Sequence, residues 1–289
     1  TVNARATLRP AGEAVEVDAE IGTFAAFLAG EVSSIGATVT APGGKGRFDG
    51  HADINGEASG RLTFGADDAL QTGVALGLAL PDALAQKTVF GADVTYTADG
   101  RLSMRDLAVE LGGNKLTGAA DAEFNKRPEI TAQLRGGALD FSALAGGTGS
   151  SGSGGAAAAG WPKDAIDASA LGLADAVVDL SFDSLNTGGV ILGASTLNLT
   201  VERSRAVVNF LPASMFGGQV RGQVVANNRN GLSVGGKLSF NGIRLERALG
   251  ETAGYSRLNG EALGELEFLG AGNSVGAIMR SLSGKGWLE

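Results

Sequence analysis

Apolar and polar residues alternate along most of this chain with a period of two. From Phe48 to Phe64 the even positions read Phe48, Gly50, Ala52, Ile54, Gly56, Ala58, Gly60, Leu62 and Phe64. The odd positions read Asp49, His51, Asp53, Asn55, Glu57, Ser59, Arg61 and Thr63. Successive side chains of a strand point to opposite faces, so this stretch is a β-ribbon with one apolar and one polar face. A three-residue loop over Asn55–Glu57 keeps its two arms in phase, pairing Ile54 with Ala58 and Phe48 with Phe64; one long bent strand is the alternative. The same period returns at Leu107/Val109/Leu111, Leu116/Gly118/Ala120/Ala122/Phe124 and Ile130/Ala132/Leu134. Later it recurs at Val178/Leu180/Phe182, Leu197/Leu199/Val201, Ala206/Val208/Phe210, Val220/Gly222/Val224/Ala226 and Val234/Gly236/Leu238/Phe240. Turn residues separate these runs, among them Gly112-Gly113-Asn114 and Asn125-Lys126-Arg127-Pro128, so the pattern predicts a β-meander.

A shift of 104 positions superposes two stretches without a gap. It carries Gly113 to Gly217, Leu116 to Val220, Gly118 to Gly222, Ala122 to Ala226, Leu134 to Leu238 and Leu139 to Ile243. Each copy reads as strand, glycine turn, strand, polar turn, strand and a short helical segment, near Asp140–Leu144 and Arg244–Leu249. Stacked repeats of this kind build quasi-one-dimensional sheets. Residues 145–160, AGGTGSSGSGGAAAAG, read as a Gly/Ser/Ala linker or long loop between an N-terminal region, 1–144, and a C-terminal region, 161–289. Near the end, Val275, Ile278, Met279 and Leu282 follow helical spacing, with Asn273 or Ser274 as N-cap and Gly284 as stop. That helix lies on its own sheet or serves as a lid or membrane-facing element, and it leads into a further strand.

Composition narrows the chemistry. The 289 residues suit one large domain or two medium ones, and 44% hydrophobic residues can bury a sizeable core. Glycine, at 47 residues, is roughly twice its average share. There is no cysteine and one histidine, His51, which excludes thiolate chemistry, disulfides and histidine-dependent triads. A net charge of −8 argues against nucleic acid as a partner. No run of about 18 apolar residues is present, so no helix here is expected to span a bilayer. Gly112-Gly113 and Gly217-Gly218 lack the following helix and Lys-Ser/Thr of a phosphate loop and read as turns. Asp67-Asp68 and Asp164/Asp167 read as loop or helix-cap residues rather than a metal site. His51, Lys126-Arg127 and Arg203/Arg205 read as solvated. No enzymatic machinery, cofactor or metal is expected.

Several stretches resemble the AsmA family of bacterial envelope proteins. These are Lys126-Arg127-Pro128-Glu129-Ile130-Thr131-Ala132-Gln133-Leu134 with Leu139-Asp140-Phe141, and Trp161-Pro162 with Ile166-Asp167, Ala170-Leu171 and Ala174-Asp175-Ala176. Phe216-Gly217-Gly218 with Gly222, and Gly272-Asn273-Ser274 through Ser281-Leu282-Ser283-Gly284, extend the likeness, which is that of the C-terminal part of such a protein. The resemblance implies an inner-membrane anchor, here outside the chain, followed by a curved periplasmic sheet similar to the bridge-like lipid-transfer proteins. It implies a non-enzymatic role in outer-membrane biogenesis, with a phospholipid or other acyl-chain lipid as partner, envelope assembly proteins as further partners, and membrane contact through flanking segments.

The expected fold is therefore mainly β: an elongated, curved antiparallel sheet forming an apolar groove, with a few short helices. The groove candidates are Phe48, Ala52, Ile54, Ala58, Leu62, Phe64, Leu116, Ala120, Val220, Val224, Val234, Leu238 and Phe240. Many apolar-face positions are Gly or Ala, which suits a tightly curled sheet. A closed β-sandwich is the alternative fold. A chaperone-like module acting through an exposed sheet edge is the alternative function, and a glycan-binding β-domain a third, poorly served by 6% aromatic residues.

Overall fold

The computed structural model describes residues 1–78, 86–142, 163–188, 190–255 and 257–289. The chain is mainly β and almost wholly antiparallel, and it divides into two compact units, Thr1–Arg135 and Gly136–Glu289. The expected linker 145–160, the adjoining Trp161-Pro162 and the end of the first helical segment, 143–144, lie outside the described residues.

The first unit is a meander. Strands β1 (Val2–Leu8), β2 (Val15–Ile21), β3 (Ser33–Ala41), β4 (Gly44–Ala52), β5 (Ala58–Ala66), β6 (Thr88–Thr97), β7 (Arg101–Leu111) and β8 (Asn114–Glu123) each pair with the next. Strand β9 (Glu129–Gly136) follows. Helix α1 (Phe24–Leu28) links β2 to β3, and α2 (Ala69–Ala75) follows β5. Asp68 caps α2, its Oδ1 accepting the Gln71 amide at 2.9 Å. The helix packs its Ala75 on Val15 and Ala41 at one end of the strands.

The Phe48–Phe64 ribbon is a hairpin, not a bent strand, and its register differs from the expected one by two residues. Ala52 pairs with Ala58 and Phe48 with Leu62, leaving a five-residue loop, 53–57. Asp53 closes that loop: its backbone amide donates to Glu57 O at 3.0 Å and its Oδ1 accepts the Glu57 amide at 3.0 Å. Gly56 takes the left-handed φ of +95° that the tight return requires. The even-numbered phase survives because the shift is two, but Ile54 moves off the strand into the loop, where it is 52% exposed.

In the second unit β10 (Ala138–Asp140) pairs in parallel with β12 (Ser184–Asn186), which pairs with β13 (Ile191–Leu192). Strands β11 (Asp175–Phe182), β14 (Ser195–Glu202), β15 (Arg205–Met215), β16 (Gly218–Asn227), β17 (Ser233–Arg244), β18 (Glu261–Ala271) and β19 (Ser283–Leu288) form an antiparallel series. Helix α3 (Leu245–Ala253) extends the predicted Arg244–Leu249 segment. Helix α4 (Val275–Ser281) begins at Ser274, whose Oγ accepts the Ala277 amide at 3.2 Å. It lies on its own sheet, with Ile278 over Gly270 of β18. Gly284 is not its stop: Leu282 already turns extended, and Gly284 sits inside β19.

The 104-residue shift reappears in the strand registers. Leu111↔Asn114, Val109↔Leu116, Met104↔Ala120 and Leu102↔Ala122 of β7–β8 match Met215↔Gly218, Ala213↔Val220, Val208↔Val224 and Ala206↔Ala226 of β15–β16. Both pairs are interrupted by a bulge, between Met104 and Leu107 and between Phe210 and Ala213. Both turns are two-residue and left-handed, Gly112-Gly113 and Phe216-Gly217. At Gly118 an added Cβ would collide with Gln133 O and lie 3.1 Å from Leu134 Cα; at Gly222 it would collide with Lys237 O and lie 3.0 Å from Leu238 Cα. The backbones of neighbouring strands approach at equivalent points of both copies, which only glycine allows.

Gly118→Ala and Gly222→Ala should therefore each cost about 2–4 kcal/mol, from backbone strain plus overpacking. Gly65→Ala, where an added Cβ meets nothing within 4 Å, should instead gain about 0.5 kcal/mol. Urea-unfolding midpoints of the three variants check both signs.

Candidate functional site

Register decides which side chains share a face. In the first unit one row crosses eight strands as Ala6–Val17–Val39–Gly46–Phe64–Phe90–Val109–Leu116. Another runs Val2–Ile21–Ile35–Gly50–Gly60–Val94–Met104–Ala120. Neither row contains a polar side chain. In the second unit Val178–Leu199–Val208–Val224–Gly236–Phe268–Gly284 crosses seven strands, and Leu180–Leu197–Phe210–Gly222–Leu238–Leu266–Gly286 runs beside it.

Of the expected groove residues, Phe48, Ala52, Ala58, Leu62, Phe64, Leu116 and Ala120 share the apolar face of the first unit. Val220, Val224, Val234, Leu238 and Phe240 share that of the second. Ile54 does not belong, because the longer loop carries it away from the strands. Phe48, Ala52, Ala58, Leu62, Phe64 and Leu116 are only half-buried, so no second layer of described residues seals the middle of this face. A closed sandwich core would bury them.

The faces are shaped by glycine. Gly50 and Gly60 face each other across β4–β5, and a Cβ on Gly50 would lie 2.7 Å from Gly60 Cα and 2.8 Å from the Phe48 ring. In an ordinary antiparallel pair opposing Cβ atoms stand about 4.5–5.5 Å apart. The two strands therefore close toward each other on the apolar side, and Phe48 lies over the gap. In the second unit the Phe268 ring covers Gly236 in the same way, 2.9 Å from where a Cβ would stand. The surface is low and greasy, with aromatic rings laid across backbone.

The opposite face of the first unit is mainly polar, with rows such as Arg5–Asp18–Thr38–Arg47–Thr63–Gly91–Ala108–Thr117. Several charges there are paired: Arg5 with Asp18, Arg47 with Asp49, Arg61 with Asp93 at 3.1 Å, and Arg105 with Asp121 at 2.9 Å. Each pair is solvent-exposed and contributes little to stability; together they keep this face toward water. His51 is exposed on it. Among the described residues no three His, Asp or Glu side chains gather as a metal site would require, and no helix is long and apolar enough to cross a membrane.

The period-two reading reached most of the second unit but missed contributions from β1–β3, β6 and β18. The even positions of Val2–Leu8 and the odd positions of Val15–Ile21 carry the same signal in shorter runs. Along β7 the signal breaks at its bulge, where Asp106 takes a left-handed φ of +44° and the apolar phase moves from Met104 to Leu107. With the geometry so defined, the chain was compared with known proteins: no family model, curated protein or solved structure matches it.

Several carboxyls on loops and on the polar face are held below their usual range. Asp53 is lowered chiefly by the Glu57 amide, Asp99 by the Thr97 hydroxyl, and Asp121 by the Ser103 hydroxyl and then by Arg105. Asp140 and Asp167 are lowered by Ser142 and Ser169. A depressed folded-state pKa means that this contribution is complete above the ordinary carboxylate value of 3.8 and is lost as pH falls through the lower folded values. Urea midpoints should thus be flat with respect to these groups from about pH 7 to pH 5 and fall below about pH 4, with a shallower fall in Asp121→Asn.

Proposed function

We propose that this chain is a non-enzymatic periplasmic envelope protein that contributes to outer-membrane biogenesis by conducting phospholipid acyl chains along the apolar faces of its sheets. The observation that carries the reading is the unbroken, half-exposed apolar face across eight strands of the first unit, repeated across seven strands of the second. A soluble protein that leaves such a face unsealed has a use for it. An acyl chain laid along it gains about 0.8 kcal/mol per buried CH₂, while the headgroup stays in water. The AsmA-like residues at Lys126–Leu134 and Phe216–Gly218 agree with this reading, and with an inner-membrane anchor in a flanking segment.

A second reading has its own support. Among the described residues strands β1 and β19 pair on one side only, with β2 and β18, and every residue in both is exposed. Bare edges of this kind can accept a strand from an assembling outer-membrane protein.

Native mass spectrometry of gently extracted protein should find co-purifying phospholipid. Ala58→Glu and Val224→Asp, which put a charge on the apolar face, should lower lipid stoichiometry about tenfold or unfold the sheet. Ser59→Glu and Gln223→Asp, one position along and exposed, should do neither. Inward variants that fold and keep wild-type lipid, or a wild-type protein that carries none, would overturn the proposal. Protection of β1 or β19 amides by an added outer-membrane strand peptide, without bound lipid, would favour the second reading.

A further inference from the structure

The polar face of the first unit contains one feature that acyl-chain conduction does not use. Where β4–β8 cross, an open cavity of about 710 Å³ sinks into that face, within the size range of small-molecule sites. Its floor is made by Gly65, Gly91 and Ala108, the small residues in two rows whose other members, Val89 apart, are charged or hydroxyl side chains. Val89 stands on the same floor, 41% exposed. It is the one large aliphatic side chain that β4–β8 present on this face. An added Cβ at Gly65 would meet nothing within 4 Å, so the floor opens to free space there.

The walls are cationic. Lys45 and Lys115 lie at the two ends of the row Lys45–Gly65–Val89–Glu110–Lys115, and Arg47 and Arg61 stand beside it. Arg47 pairs with Asp49 and Arg61 with Asp93 at 3.1 Å, so the charge of both guanidinium groups is largely balanced. Lys115 reaches Glu110 at 3.7 Å, which neutralises the one carboxylate of the lining. Lys45 makes no ion pair with a described residue. The local balance is one positive charge in surplus, on a chain whose net charge is −8.

We infer that this cavity binds a small organic monoanion: a carboxylate carried on a flat, compact apolar body that lies over Val89 and Ala108. Its carboxylate would pair with Lys45 beside Arg47, and its body would cover the open floor at Gly65, against the Arg61 guanidinium that lies over Gly91. A cation is disfavoured because Asp49, Asp93 and Glu110 are already engaged. A long acyl chain is disfavoured because beyond the cavity the face returns to ion pairs such as Arg105–Asp121. Phe64, Phe90, Val109 and Leu116 of the apolar row also border the cavity, but the residues on which the inference rests, Lys45, Gly65 and Val89, stand in the opposite, polar phase of the strands.

The probe is 2-naphthoate, titrated calorimetrically into the full chain, with the neutral 2-naphthamide as its isosteric control. Saturable binding with one site per chain is expected, at least tenfold tighter for the acid than for the amide. Lys45→Gln should weaken naphthoate at least tenfold and leave the amide unchanged. Gly65→Leu, which fills the cavity from a position with room for a side chain, should abolish binding of both. Gln223→Asp, an exposed position in the second unit, should leave naphthoate affinity at the wild-type value. Absence of saturable binding, equal affinity for acid and amide, or wild-type affinity in either Lys45→Gln or Gly65→Leu overturns the inference. Lys45→Gln replaces an exposed surface side chain and carries the test without disturbing the sheet.

Discussion

A slip of one residue in any strand pair of this molecule would turn an apolar row toward water and a row of arginines and aspartates toward the apolar side. Strict maintenance of register is therefore the constraint on which the other features depend. It is enforced from both faces. On one side ladders such as Phe64–Phe90–Val109–Leu116 gain only when aligned. On the other, Arg61–Asp93 and Arg105–Asp121 form only in the same alignment. Individually these exposed ion pairs are weak, but each is lost in any slipped arrangement, so they act as specificity devices more than as sources of stability.

Curvature is obtained without breaking that phase. The bulges in β7–β8 and β15–β16 let the strands bend, and the chain regains its alternation on the far side of each. Glycines such as Gly118 and Gly222 permit backbone approaches that a methyl group would forbid. The high glycine content is thus a requirement of shape rather than of flexibility. It also explains why the apolar faces look poor in bulk when read as a list of residues: Phe48 and Phe268 supply the missing area by lying across neighbouring glycines.

Much of this was legible in the amino-acid order. The period of two identifies the strands and their faces because a sheet with one wet side must alternate. The 104-residue shift predicts equivalent registers because turn glycines and apolar positions recur together. Helix α4 and its Ser274 cap follow from 3.6-residue spacing and a serine in front of it. What alternation does not encode is where a hairpin turns, since registers two residues apart leave every face unchanged. The five-residue loop closed by Asp53 was decided by hydrogen bonds to its own backbone, and Ile54 was misplaced for that reason. Gly284 reads as a helix stop in isolation, yet close packing against the backbone of β18 at Glu267 is what calls for glycine there. The cavity on the polar face was equally hidden, because Gly65, Gly91 and Ala108 lie on three strands and meet only through register.

The order of strand pairing has a consequence for how the chain becomes folded. In the first unit each of β1–β8 pairs with its immediate successor, and none waits for a distant partner. Loop-closure entropy is therefore small at every step, and contact order is low for an all-β protein. A chain delivered end-first through a narrow pore can zip up hairpin by hairpin as it emerges, each new strand using the last as its template. The growing edge is the aggregation hazard of such a process, and it is occupied as soon as the next turn clears the pore.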